Sequence, residues 1–302
     1  MIDVAIIGGG PAGLNAALYA ARAGLNCVLF EKMFAGGQMA TTSVLENYIG
    51  FPGGVDAVTL AMQMSEQAME AGVKMRYDEV LSLSLFEDVK KIETAKETLE
   101  ARAVFLCMGA APRLLGVPGE ERLRGRGVSY CATCDGALYK GKTVAVVGGG
   151  DTALEDAVFL SKFVKQVYLI HRRDSFRAVH ALQDKVQRLD NVALVLDNIV
   201  TEVVGENVTE SVKVQNVKTK EEMSLSVDGV FIAVGTKPNT ELVEEFLPLE
   251  DGYIITDDEM KTAIDGVFAA GDLRKKPLRQ VITAAADGAV AAVSALRYLE
   301  TK

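Results

Sequence analysis

Apolar and polar positions along the chain fall into one pattern that occurs twice. "DVAIIGGGPAGLNAALYAARAG" begins at Asp3, and "TVAVVGGGDTALEDAVFLSKF" begins at Thr143. Each opens on a short apolar, β-branched run that predicts a strand, crosses glycines and continues with helical periodicity. Leu14, Leu18 and Ala21 share one face of the first predicted helix; Leu154, Ala157 and Val158 share one face of the second. A closing strand follows each time: "AVFLCMGAAPR" at 103–113 echoes "GVFIAVGTKPN" at 229–239 and sets Gly109 opposite Gly235. Strands alternating with helices predict an α/β fold. The doubled order predicts two Rossmann-like, three-layer domains for binding dinucleotides.

The glycines supply the reason. The first unit reads G-x-G-x-x-G (Gly8, Gly10, Gly13) and the second G-x-G-x-x-A (Gly148, Gly150, Ala153). The first glycine permits the tight turn, the second lets backbone approach a pyrophosphate, and the third position lets helix pack on strand. The helix beyond presents free N–H groups to phosphates. Both matches lie between a predicted strand and a predicted helix, where this mechanism needs them.

The end of the second strand in such a unit reads the adenosine ribose. Twenty-one residues beyond Gly10 stands Glu31, an acid that accepts from ribose hydroxyls and repels a 2′-phosphate. The same count from Gly150 reaches His171, followed by Arg172, Arg173 and, a turn later, Arg177. Guanidinium groups form bidentate, charge-assisted bonds to phosphate oxygens, so this site suits NADP(H). A third closing pattern, "GVFAAGD" at 266–272, ends in Gly271-Asp272 and precedes a Thr/Ala-rich helix. It has no glycine fingerprint of its own. A long cofactor reached from both ends of the chain, FAD rather than NAD, accounts for it.

Composition narrows the setting. With 302 residues the chain is long enough for two domains. A net charge of -9 argues against a broad nucleic-acid or anionic-membrane surface. The uncharged run Val4–Ala21 is interrupted by "GGGPAG" and preceded by Asp3, so neither a membrane span nor a signal peptide is expected. A cytoplasmic location is expected, where lasting disulfides are rare.

That setting bears on "SYCATCDGAL", which places Cys131 and Cys134 two residues apart with Asp135 behind them. A structural zinc site needs four ligands. Cys27 and Cys107 lie inside apolar strands, and His171 and His180 belong to the nucleotide region, so no metal is expected. A staple closing so short a loop stabilises little. A redox-active disulfide is the expectation, with Asp135 as the acid/base that moves the thiol proton. Cys27 and Cys107 read as small core residues.

"GGGPAG", "GGQMATT", "ENYIGFPGG", "GRGVSYCATCDG", "GGGDTA", "HRRDSFRA" and "GVFAAGDLRKKPLRQ", in this order, resemble the low-molecular-weight, bacterial-type thioredoxin reductases. The resemblance covers essentially the whole chain. Ile49 departs from it, since many members have proline after "ENY", and Asp151 stands where some carry asparagine. The separate C-terminal interface domain and redox tail of the larger reductase class are not expected.

The resemblance implies a second domain inserted into the first: an FAD domain at 1–110 and 240–302 enclosing an NADPH domain at 111–239 that carries the Cys-x-x-Cys. It implies FAD contacts from Gly8, Gly10, Pro11, Ala12, Gly13, Glu31, Gly37, Gln38, Thr42, Asn47, Gly109, Gly271, Asp272, Arg279 and Gln280. NADPH contacts are implied for Gly148, Gly150, Asp151, Thr152, Ala153, His171, Arg172, Arg173, Arg177 and Gly235. Thioredoxin or a thioredoxin-like protein is the implied partner, and a homodimer through the FAD domains the implied assembly. Cys134 is implied as the sulfur nearer the flavin, and Cys131 as the one that attacks the partner. Because dithiol and nicotinamide would ride on one domain, the two crossings near Gly109–Arg113 and Gly235–Thr240 are expected to act as a hinge. Other uses of such a chain are a dithiol oxidase, a ferredoxin-dependent reductase and a non-enzymatic redox or nucleotide sensor. The arginine cluster argues against the second, and an aligned hydride donor, flavin and dithiol against the third.

Overall fold

The structure is a computed structural model describing residues 1–41 and 44–302. The chain forms two compact units. Met1–Val44, Tyr48–Ala111 and Lys237–Lys302 make the first; Leu45–Asn47 and Pro112–Thr236 make the second. At the crossings expected near Gly109 and Gly235, strands Ala110–Pro112 and Thr236–Pro238 pair as a ribbon.

In the first unit the parallel strands run in the order Lys74–Tyr77, Cys27–Glu31, Ile2–Ile7, Thr98–Leu106 and Val267–Ala269. Val80–Ser84 and Lys90–Thr94 add an antiparallel meander onto the early part of the long Thr98–Leu106 strand. Strands buried on both faces are apolar at successive positions, and alternation divides them between two layers. Val4, Ile6, Leu29 and Phe105 pack with helix residues Leu14, Ala16, Ala291 and Ala295. Ala5, Ile7, Phe30 and Leu106 pack on the other face with Leu83, Ile92 and Val243.

The Pro11–Arg22 helix buries the expected Leu14 but extends its buried face over the alanines. Ala12, Gly13, Leu14, Ala16, Ala17 and Ala20 are buried, whereas Leu18 and Ala21 are half-buried. The cause is close approach by the Val281–Glu300 helix: a Cβ at Gly288 would stand 2.2 Å from the Ala12 carbonyl oxygen. Small side chains bring the two helices together, a demand that periodicity alone does not register. Val281–Glu300 has the length and apolarity of a membrane span. In this fold it is a core helix, with Ala291, Ala292 and Ala295 docked in the first layer and Asp287 buried midway.

The second unit repeats the plan. Parallel strands run in the order Val128–Ser129, Gly229–Ile232, Thr143–Val147, Gln166–Ile170 and Val192–Val195. The helix Asp151–Leu160 covers one face through Leu154, Ala157 and Val158, as its periodicity predicts. An antiparallel meander, Asn198–Val204, Ser211–Asn216 and Glu222–Ser226, covers the other through Val200, Val203, Val212 and Val214. Both units are therefore α/β sandwiches of the expected class.

Candidate functional site: two glycine turns and a disulfide

The two glycine turns have the same construction. Gly8 follows its strand at φ +104°, and a Cβ there would lie 2.4 Å from the Cys107 carbonyl oxygen. At Gly148 the corresponding distance, to the Ala233 carbonyl oxygen, is also 2.4 Å. In each unit the turn is pressed against the end of the closing strand, the switch point where open α/β sheets bind ligands. Gly10 and Gly150 cap the following helices, and the space that a Cβ would enter at either is open within 4 Å. Pro11 occupies the first helical position, where its missing N–H costs nothing. Gly13 meets the Gly8 carbonyl oxygen at 1.9 Å from an added Cβ, whereas Ala153 tolerates its methyl and is fully buried.

The polar residues tie each turn to its neighbours. Glu31 Oε2 accepts the Gly9 N–H at 2.8 Å and Oε1 accepts the Met33 N–H at 3.1 Å. In the second unit Arg177 N–H donates to the Gly149 carbonyl at 2.8 Å, and Asp151 Oδ1 accepts the Val179 N–H at 2.8 Å. The arginine loop is thus stitched onto the glycine turn, with Arg172, Arg173 and Arg177 exposed. His171 differs from them. Its ring is buried beneath Gly149 and stacks on Phe176 at 5.5 Å. Burial, opposed by a Ser175 backbone hydrogen bond and reinforced by the three arginines, holds its pKa below the usual histidine value. It therefore supports the turn as a neutral ring, with Nε2 buried and unpartnered.

A third cluster lies in the first unit. Gly271 has φ +89°, and a Cβ there would meet that of Ala12 at 2.8 Å. Asp287 accepts the Gly271 N–H at 3.0 Å, Arg274 Nη1 at 3.2 Å and Lys276 Nζ at 2.6 Å, fixing the loop to the long helix. Asp272 Oδ1 is buried without a partner, and burial raises the pKa of this carboxyl, against the pull of Lys276 and Arg279. Arg279 lies 3.9 Å over the Tyr253 ring and donates to the Asp272 carbonyl oxygen; Gln280 begins the long helix in a capping box. Asp287 and Lys276 were not legible as partners, because residues of opposite charge eleven positions apart give no periodic signal.

These features fit a dinucleotide reached from both ends of the chain: a backbone cradle open at Gly10, an acid at Glu31 and an orphaned carboxylate oxygen at Asp272. Gly37 continues the cradle, its added Cβ falling 3.3 Å from the Gly10 Cα, with Gln38 exposed beside it. Gly109 and Gly235 carry positive φ at the crossings. Thr42 lies outside the described residues. Asn47 is grouped with the second unit.

Cys131 and Cys134 form a disulfide with Cα atoms 5.3 Å apart. Cys131 caps the short Ala132–Asp135 helix, and its carbonyl accepts the Asp135 N–H at 3.1 Å. Ser129, buried at the end of its strand, donates to Asp135 Oδ2 at 2.6 Å and accepts the Cys131 N–H at 3.1 Å. Glu120, also buried, accepts the N–H groups of Leu115, Gly116 and Val117 and the Tyr130 hydroxyl, anchoring the approach to Cys131. Neither Ser129 nor Glu120 was anticipated; each acts through long-range or backbone partners that no motif spacing encodes.

The profile of the pyridine nucleotide-disulphide oxidoreductase family matches residues 2–288. A thioredoxin reductase of Mycolicibacterium smegmatis is 45% identical over 98% of this chain and 96% of its own length. A bifunctional thioredoxin reductase/thioredoxin of Mycobacterium leprae is 44% identical over 98% of this chain, which spans 66% of that longer protein. The crystal structure of thioredoxin reductase from Streptococcus pyogenes superposes with a TM-score of 0.96 at 44% identity, covering 100% of this chain and 99% of that one. The chain belongs to the pyridine nucleotide-disulphide oxidoreductase family, among its thioredoxin reductases.

Proposed function

We propose that the chain is an NADPH-dependent thioredoxin-disulfide reductase, carrying electrons to thioredoxin or a thioredoxin-like protein through the Cys131–Cys134 pair. The observation that carries this reading is a disulfide flanked by an acid, in the same unit as an arginine-bearing nucleotide turn. When bound, FAD supplies the link between two-electron nicotinamide chemistry and thiol chemistry. Gly8, Gly10, Pro11, Ala12, Gly13, Glu31, Gly37, Gln38, Gly109, Gly271, Asp272, Arg279 and Gln280 are the residues assigned to hold it. Gly148, Gly150, Asp151, Thr152, Ala153 and Gly235 shape the NADPH turn, His171 supports it, and the three arginines meet the 2′-phosphate.

In the reduced chain the Cys131 thiolate attacks one sulfur of the partner's disulfide. That bond breaks, a mixed disulfide forms and the partner's other sulfur leaves and takes a proton. Cys134 then attacks Cys131, releasing the partner's second thiol and restoring the internal disulfide. Asp135 is the proton carrier for these exchanges. The remaining cysteines do not compete. Burial, with the Asp3 charge adding, pushes the Cys27 thiol up to about 12, and burial drives Cys107 higher still. Neither forms the thiolate that exchange requires.

A homodimer through the first unit belongs to the same proposal. It is supported by Val58, Met62 and Met69, exposed along one side of the Ala57–Glu70 helix. A cytoplasmic location fits a catalyst whose product is thiols. The test is NADPH-dependent appearance of thiols on oxidised thioredoxin. Flavin reduction without any thiol on the partner, and with oxygen consumed instead, would favour a dithiol oxidase.

A further inference from the structure

We propose that Ser129 is a positioning residue for the thiol step: its hydroxyl holds Asp135 in both of its charge states while fixing the backbone of Cys131. This inference rests on the reductase reading. Ser129 is 5% exposed and ends the two-residue strand Val128–Ser129, which pairs in register with Val230 and Phe231 of the central sheet. Its place is set by the sheet.

Three contacts converge on one oxygen. Ser129 Oγ lies 2.6 Å from Asp135 Oδ2, receives the Cys131 N–H at 3.1 Å and stands 3.4 Å from the Cys131 carbonyl oxygen. A hydroxyl has one hydrogen and two acceptor lone pairs. With Asp135 ionised, that hydrogen points to Oδ2, and the bond is charge-assisted. With Asp135 protonated, the carboxyl donates to Oγ across the same short gap, and the hydroxyl hydrogen turns toward the Cys131 carbonyl. The Cys131 N–H remains bonded throughout. Reversing one hydrogen bond thus accommodates the proton, and neither heavy atom has to move.

The chemistry needs this reversal. When an electron pair opens the disulfide, the S–S bond breaks and the two sulfurs take up two protons in all. Asp135 gives one to the departing thiolate, becomes a carboxylate and regains its proton from water. An acid gripped in only one charge state would resist half of that cycle.

Tyr139 couples to Asp135, but burial, followed by the charges of Asp135 and Asp228, pushes its hydroxyl up to about 12, so it stays neutral through the working range. Glu155 and Asp156 lie on the Asp151–Leu160 helix, which packs against the Ala132–Asp135 turn. Burial, with the Glu155 charge adding, pushes the Asp156 carboxyl up to about 7, so its titration is controlled by repeating the measurement in Asp156→Asn.

The experiment uses the flavin-loaded enzyme with Ser129→Ala and Ser129→Thr. Opening of the Cys131–Cys134 disulfide by dithiothreitol is trapped by alkylation between about pH 5 and about pH 9, corrected for ionisation of the reductant. Ser129→Ala is expected to slow opening about tenfold, a part of the effect that a placed acid supplies. The limb that requires protonated Asp135 moves to higher pH, because the carboxylate has lost a donor that favoured its ionised form. Ser129→Thr, which keeps the hydroxyl, restores both rate and profile. A Ser129→Ala enzyme with wild-type profile overturns the proposal. So does uniform slowing at every pH without rescue by threonine, the mark of a merely structural serine. Dithiothreitol bypasses NADPH and thioredoxin, so failure of wild-type enzyme to reduce thioredoxin would count against the reductase reading alone.

Discussion

At the scale of single residues, the site separates groups that shape backbone from groups that carry charge. Gly8 and Gly148 are required because a Cβ would strike a carbonyl oxygen, a demand independent of any ligand. Arg172, Arg173 and Arg177 are exposed, and their role lies in what they meet. Replacing all three with neutral residues is expected to erase preference for NADPH over NADH. Each lost charge-assisted bond to the 2′-phosphate corresponds to about tenfold or more in KM for NADPH. Steady-state kinetics with both nucleotides check this, and unchanged selectivity would remove the cluster from the assignment. The glycines and arginines were legible because they follow local rules of turn geometry and charge. The neutral, buried role of His171 was not, since it depends on Gly149 and Phe176 closing over the ring. Ser129 escaped for a related reason: a serine at the end of a strand acquires meaning only when Asp135 folds back to meet it.

At the scale of elements, the strands and their order were the most legible feature. Apolar runs buried on both faces leave little choice except a parallel sheet covered twice. Helix faces were read less fully: Leu154, Ala157 and Val158 point inward as expected, but in Pro11–Arg22 the buried face extends from Leu14 over the alanines, where Gly288 admits a second backbone. The Asp151–Leu160 helix carries a testable cost. Burial, with Glu155 adding, raises the Asp156 carboxyl from 3.8 to about 7. The folded chain then binds more protons than the unfolded one between those values, so this residue's contribution makes stability fall as pH rises through them. Asp156→Asn removes the ionised carboxylate. It is expected to raise the melting temperature of the flavin-loaded protein by several degrees at about pH 8 and by less at about pH 5. An equal change at both pH values would show that the carboxyl does not titrate in this window.

At the scale of the molecule, one plan used twice explains why so much function fits into 302 residues. Each unit supplies a glycine turn at a sheet switch point, and the chain leaves and re-enters the first unit at the paired segments Ala110–Pro112 and Thr236–Pro238. The disulfide and the arginine loop both belong to the second unit, and the proposed function has the two take turns at a cofactor held by the first. A covalent cross-link between the units is expected to abolish turnover while sparing one half-reaction, measured separately by stopped flow. Full speed in both halves would exclude alternation. What remains central is that NADPH and the Cys131–Cys134 pair share one electron path. It is tested most directly by adding NADPH alone to oxidised, flavin-loaded enzyme without oxygen or partner, then alkylating and mapping the cysteines. Labelled Cys131 and Cys134, with Cys27 and Cys107 unlabelled until the protein is denatured, is the expected result. A disulfide still intact after the flavin has been bleached would contradict it.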